Sequence, residues 1–130
     1  MAITLKTKFE ESGLECYVLY LDEVLHRTDF HNGYVAIPKG HPLYGVHYDD
    51  INIKAHEGLT YSENYLRDII KPKDRLWVLG FDTANSTDTV DTRSQAYVEL
   101  ETRALAKRIA NKEYTIGKCY EEKNVDRQSD

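Results

Sequence analysis

Residues 3–9 (Ile-Thr-Leu-Lys-Thr-Lys-Phe) alternate apolar and polar side chains with a period of two, the pattern of a half-buried strand. Glu11-Ser12-Gly13 interrupts it, and residues 14–21 resume with β-branched and aromatic side chains, which predicts a hairpin. Asn32-Gly33 is the strongest local turn signal in the chain and leads into a third strand over 34–37. Residues 51–61 predict one or two short strands around Glu57-Gly58, and the continuous apolar run 76–81 predicts a central strand. Between them, residues 38–50 form a connection with two prolines, two glycines and two histidines. At thirteen residues it is longer than most, and long connections in compact domains often carry function.

The period then changes. Over residues 92–112, Val98, Leu105 and Ile109 fall on one helical face, Leu100 and Ala104 widen the stripe, and Glu99 precedes Arg103 by one turn. A shorter helix is predicted over 62–70, capped by Ser62 and stopped by Lys71-Pro72. The order of elements gives an α+β fold: an N-terminal antiparallel β-sheet with a C-terminal packing helix, in one domain over residues 1–120. Residues 121–130 read as a polar, flexible tail. One sheet and one long helix leave the second sheet face or the outer side of the helix short of cover, which predicts a homo-oligomer, most simply a two-fold dimer.

Composition narrows the class. The chain has 130 residues, 41% of them apolar and fourteen aromatic, enough for a real core and against disorder. A mean hydropathy of -0.61 and no apolar run of membrane-spanning length argue against a membrane protein. Met-Ala-Ile-Thr-Leu-Lys lacks a secretory pattern, so a cytoplasmic protein is expected. The net charge of -5 disfavours a grip on duplex nucleic acid. Residues 1–60 hold five basic and nine acidic side chains, whereas 93–130 hold eight and seven, so an anion site is expected in the C-terminal third. Cys16 and Cys119 form no CxxC and read as free thiols.

Candidate chemistry is sparse. His41, His47, Asp49, Asp50, His56 and Asp82 offer metal-ligand types, but no spacing fixes two imidazoles on one face. The favoured reading has the prolines and glycines shaping the loop while its histidines hydrogen-bond the backbone. No Gly-x-Ser-x-Gly, GxxxxGK[ST] or GxGxxG is present, and no cofactor or metal is expected. Arg103, Lys107, Arg108 and Lys112 are four cations in ten residues with no acid among them. They either complement the helix dipole or, with aromatic faces nearby, hold a nucleotide's phosphates. Tyr17, Tyr20 and Tyr34 fall in strands as packing residues, whereas Tyr44, Tyr48 and Tyr61 are candidates for ligand stacking or oligomer contacts.

Three segments together, Asn32–Gly45, His56–Tyr61 and Gly80–Ala84, resemble a family of small phage and prophage proteins, over roughly residues 32–92. Within that group the chain is similar in size and layout to the phage Thoeris anti-defence sponge family. That resemblance implies a non-enzymatic oligomer in the host bacterial cytoplasm that sequesters a cyclic nucleotide immune signal of the cyclic ADP-ribose type. It implies a pocket with Phe81 as the aromatic and Asn85 or Asp91 as the polar group. The basic pair would be Arg103 with Lys107 or Arg108 with Lys112. In either pair a lysine stands where the family has an arginine, and lysine binds phosphate only as a point charge.

Two other functions compete. An inhibitor protein would dock an acidic, tyrosine-rich surface on a basic host defence nuclease, as the acidic N-terminal half allows. A metal-dependent phosphoesterase would use the loop histidines with Asp49, Asp50 and Asp82. The first reading expects a small-molecule nucleotide partner and no membrane.

Overall fold

The computed structural model describes residues 2–23 and 28–117. The predicted tail and Cys119 lie outside them. The fold is α+β: a five-stranded antiparallel sheet followed by one helix. The first hairpin pairs β1 (Ala2–Glu11) with β2 (Leu14–Glu23), turning at Ser12 and Gly13, both with positive φ. Next comes β3 (Thr28–Ala36), then two short strands, β4 (Ile51–Ile53) and β5 (Tyr61–Glu63). The chain continues through β6 (Val78–Phe81), α1 (Gln95–Ala110) and β7 (Tyr114–Ile116). The sheet order is β1-β2-β3-β6-β5, and β4 pairs with β7 in a separate ribbon. The two strands predicted around Glu57-Gly58 therefore exist but belong to different sheets.

Strand β2 sorts the core. Leu14, Cys16 and Val18 face α1 with Val35, Leu79 and Phe81, while Tyr17, Leu19 and Leu21 face the other way with Phe30, Tyr34 and Val78. Both faces are apolar, so both need a cover. Helix α1 covers the first with Val98, Leu105, Ala106 and Ile109. The second is covered by the chain's own segment 64–76, through Leu66, Ile69, Ile70 and Leu76. Segment 62–70 is thus not the predicted helix. Ser62 sits in β5 and its Oγ accepts from Tyr48 N at 3.1 Å, leaving nothing to cap. Because this segment covers the sheet, the oligomer expectation rests on the outer side of α1, where Leu100 is 66% exposed.

Helix α1 begins three residues later than predicted. Ser94 is its cap, with Oγ accepting from Tyr97 N at 3.2 Å, whereas Thr92 is engaged with Asp88. The buried stripe runs through Val98, Thr102, Leu105, Ala106 and Ile109, so Leu100 lies outside it.

Asn32-Gly33 is not a turn. Both residues lie inside β3, Asn32 opposite Leu19 and Gly33 opposite Val18 on one side and Phe81 on the other. A Cβ on Gly33 would stand 2.7 Å from two ring carbons of Phe81 and collide with Thr102 Oγ1. Gly80, across from Tyr34, does the same on the opposite face: its Cβ would lie 2.7 Å from Tyr34 Cε2 and 2.9 Å from Gly33 O. Each glycine makes room for the aromatic ring of its cross-strand partner.

Candidate functional site

The residues predicted to bind a ligand do not converge. Phe81 is 1% exposed, its ring packed over Gly33 beneath α1, where no base can stack on it. Asn85 donates from both N and Nδ2 to Asp88 Oδ2, each at 3.0 Å. The carbonyl of exposed Asp91 accepts from Ser94 Oγ at 2.7 Å, just before the helix. Arg103 turns toward β1, donating to Glu11 Oε1 at 3.2 Å with its guanidinium 4.1 Å from the centre of the Phe9 ring. Arg108 turns elsewhere, donating to Lys54 O at 3.0 Å. Lys107 and Lys112 are exposed. Both arginines on this helix therefore fasten it to neighbouring elements. Replacing Arg103 with Ala should lower stability by about 1 kcal/mol, from the lost half-exposed ion pair and ring contact. A urea midpoint unchanged from wild type would contradict that role.

The histidines and cysteine divide similarly. His41 Nδ1 accepts from Leu43 N and His47 Nδ1 from Asp49 N, each at 3.1 Å, so both shape the 38–50 loop as expected. Among the described residues no three His, Cys, Asp or Glu side chains gather to hold a metal ion. Cys16 is 0% exposed, and burial, reinforced by the Glu11 charge, pushes its thiol up to about 12. It is a packing residue.

His56 makes the densest polar node. Its Nε2 lies 2.6 Å from Asp88 Oδ1 and its Nδ1 2.8 Å from the Tyr97 hydroxyl, with only 9% of the imidazole and 1% of the Asp88 side chain exposed. Thr92 Oγ1 adds a second donor to Oδ1 at 2.8 Å. Burial raises the Asp88 carboxyl, but the donors from Thr92, Asn85 and His56 together outweigh it and hold it below its ordinary value. The order Asp–His–Tyr has the form of a proton relay. Its terminal phenol, however, is pushed up by burial and by the charges of Glu101, Asp88 and Glu57, so it stays protonated. The node joins the connection after β4, the loop before α1 and α1 itself; it is a clamp.

The segment covering the second sheet face does form a cavity, of about 590 Å³. Leu66 and Ile70 exchange backbone hydrogen bonds at 2.9 and 2.8 Å, and Lys73 N donates to Asn64 O at 3.2 Å, closing the loop at its base. The fully buried Leu66 side chain anchors it. Around this frame Tyr65, Arg67, Asp68 and Lys71 line the cavity, with Ile3 and Ile70 among its apolar walls. Behind it runs a set of tyrosines: Tyr34 meets Tyr61 edge-on at 5.1 Å, Tyr61 meets Tyr65 at 6.1 Å, and the Tyr61 hydroxyl donates to Tyr65 O at 2.7 Å. Burial raises the Tyr34 hydroxyl, while a hydrogen bond from Asn32 and the charge of Arg67 oppose the rise. Arg67 thus sits against the sheet as well as lining the cavity.

This arrangement offers a planar two-pronged donor, a second cation and an aromatic ring in one concavity, with a single carboxylate opposing them. It suits an anion carrying a flat ring. The sequence did contain a sign of it: Arg67, Lys71, Lys73 and Arg75 are four cations in nine residues with only two acids among them. The helical reading of 62–70 hid it, because it treated Lys71-Pro72 only as a stop.

Compared with protein families, curated proteins and solved structures, the chain gives no match. No helix of the described residues is long and apolar enough to cross a membrane.

Proposed function

We propose that this protein binds and sequesters a phosphate-bearing nucleotide signal without cleaving it. The role is that of a phage-encoded anti-defence protein, and cyclic ADP-ribose is the type of signal the resemblance implies. The observation that carries the reading is the cavity of about 590 Å³ in which Tyr65, Arg67 and Lys71 meet. Arg67 and Lys71 supply the charge for a phosphate, and Tyr65 supplies an aromatic face for a base. The ligand site moves from the helix to the opposite face of the sheet, since Phe81 is core and Arg103 and Arg108 turn to different neighbours and not toward one anion. Binding without chemistry fits the lining, whose only acid–base group besides the tyrosine and the two cations is Asp68.

The test is to denature protein purified from bacterial cells making the signal and to weigh what is released. Intact nucleotide supports sequestration, a cleaved product means hydrolysis, and no small molecule at all sinks the reading. Arg67→Ala should weaken cyclic ADP-ribose binding roughly 10- to 100-fold, the worth of one charge-assisted contact. Calorimetric titration beside a melting curve separates lost binding from lost folding. Unchanged affinity in a folded variant contradicts the site.

A further inference from the structure

A second cavity, of about 310 Å³, lies beside the first hairpin turn and is lined by Leu14, Glu15, Ile37, Lys73 and Arg75, among others. The two cavities share one strap of chain. Arg67, Lys71 and Pro72 line the first, and Lys73 and Arg75 line the second. Proline fixes its own φ and holds the preceding residue extended, which sets the Cα atoms of Lys71 and Lys73 about 7 Å apart along the strap. One carboxylate faces each pair of cations. In the second cavity that carboxylate, Glu15, already accepts from the Tyr17 hydroxyl at 2.8 Å and lies 3.9 Å from Lys8 Nζ. Its charge is thus partly spent on other groups, and Lys73 and Arg75 face an anion with less opposition. Arg75 also holds a left-handed backbone, φ 67°, which a residue with a Cβ adopts against steric strain. The turn it makes leads the exposed strap into buried Leu76.

We infer that the two cavities hold one ligand: a dinucleotide whose two phosphate groups, separated by a sugar, are taken by Arg67 with Lys71 and by Lys73 with Arg75. This rests on the nucleotide reading above but departs from the cyclic ADP-ribose type, whose two phosphates are joined directly, toward a ligand in which a sugar separates them. Two free anions placed this close repel each other, being within about a Debye length of 8–10 Å. Two phosphates on one molecule have already met that repulsion, and the second binds at the high effective concentration set by the first.

The experiment titrates the full chain with adenosine monophosphate and with the linear dinucleotide pApA. The dinucleotide should bind about tenfold or more tightly than the monophosphate. The double variant Lys73→Gln, Arg75→Asn should reduce pApA to the affinity of the monophosphate and leave the monophosphate within about twofold; asparagine is chosen because it tolerates the left-handed backbone. Arg67→Ala should weaken both ligands. A dinucleotide that binds no better than the monophosphate, or an advantage that survives the double variant in folded protein, overturns the two-phosphate inference while leaving the nucleotide site standing. If neither ligand binds, the nucleotide reading falls with it.

Discussion

Asp88→Ala should cost about 3–5 kcal/mol of folding stability, because several buried or half-buried donors lose their shared acceptor at about 1–3 kcal/mol each. The carboxylate gathers donors from His56 Nε2, Thr92 Oγ1, Asn85 N and Asn85 Nδ2, at 2.6–3.0 Å. Alanine leaves them facing a void, and the imidazole, itself only 9% exposed, loses the acceptor that orients it. The loop before α1 loses the anchor that holds it to the connection after β4. Asp88→Asn keeps the shape but not the charge and should cost less. The pH dependence separates the two effects. The folded carboxyl titrates below its ordinary value of 3.8, so it stabilises the native state fully above that value. That contribution disappears as pH falls through the folded value. Wild-type urea stability should therefore decline on acidification below about pH 4, and Asp88→Asn should show a shallower decline. A variant with the wild-type slope would mean that Asp88 is not ionised in the clamp.

What the sequence revealed and what it hid follow from the range of the interactions involved. The first hairpin was legible because its cause is local: alternating side chains on either side of Ser12-Gly13, whose positive φ values close the turn. Helix α1 was legible from its 3.6-residue stripe, although the widening through Leu100 was not, since Leu100 points away from the sheet. The run 76–81 was legible as a central strand because all four residues of β6 are buried. The errors share a different cause. Asn32-Gly33 carries the local signature of a turn, but its glycine answers to Phe81, forty-eight residues away, and to Thr102 on the helix. Segment 62–70 has helical spacing, yet Leu66, Ile69 and Ile70 satisfy it by reaching the sheet from a tight loop. The basic helix residues form one cluster in sequence, which does not show that Glu11, Phe9 and the Lys54 carbonyl engage two of them in different directions. The cavity residues were hidden for the complementary reason: Tyr65, Arg67 and Lys71 converge only once the loop closes between Asn64 and Lys73.

The same non-local dependence makes Gly33→Ala the most informative single substitution in the sheet. Two opposing effects bear on it. Alanine restricts the unfolded chain more than glycine does, which alone would stabilise a strand by about 0.4–1 kcal/mol. Against that, the new methyl would stand 2.7 Å from Phe81 Cε1 and Cζ and collide with Thr102 Oγ1. None of these atoms can retreat freely, because the Phe81 ring is 1% exposed and Thr102 Oγ1 donates to Val98 O at 2.7 Å inside the helix. Relief requires α1 to lift from β3, opening the layer that Val98, Leu105 and Ile109 fill. Overpacking of this kind costs about 1–3 kcal/mol where side chains yield, and more where a helix must move. The clash therefore wins, and a net loss of about 3 kcal/mol is expected in urea denaturation. The cause can be isolated. Adding Thr102→Ala and Phe81→Leu to Gly33→Ala removes the atoms that the methyl meets, so the triple variant should be more stable than the three separate losses added together. Strict additivity would show that Gly33 is needed for its backbone and not for the ring laid over it.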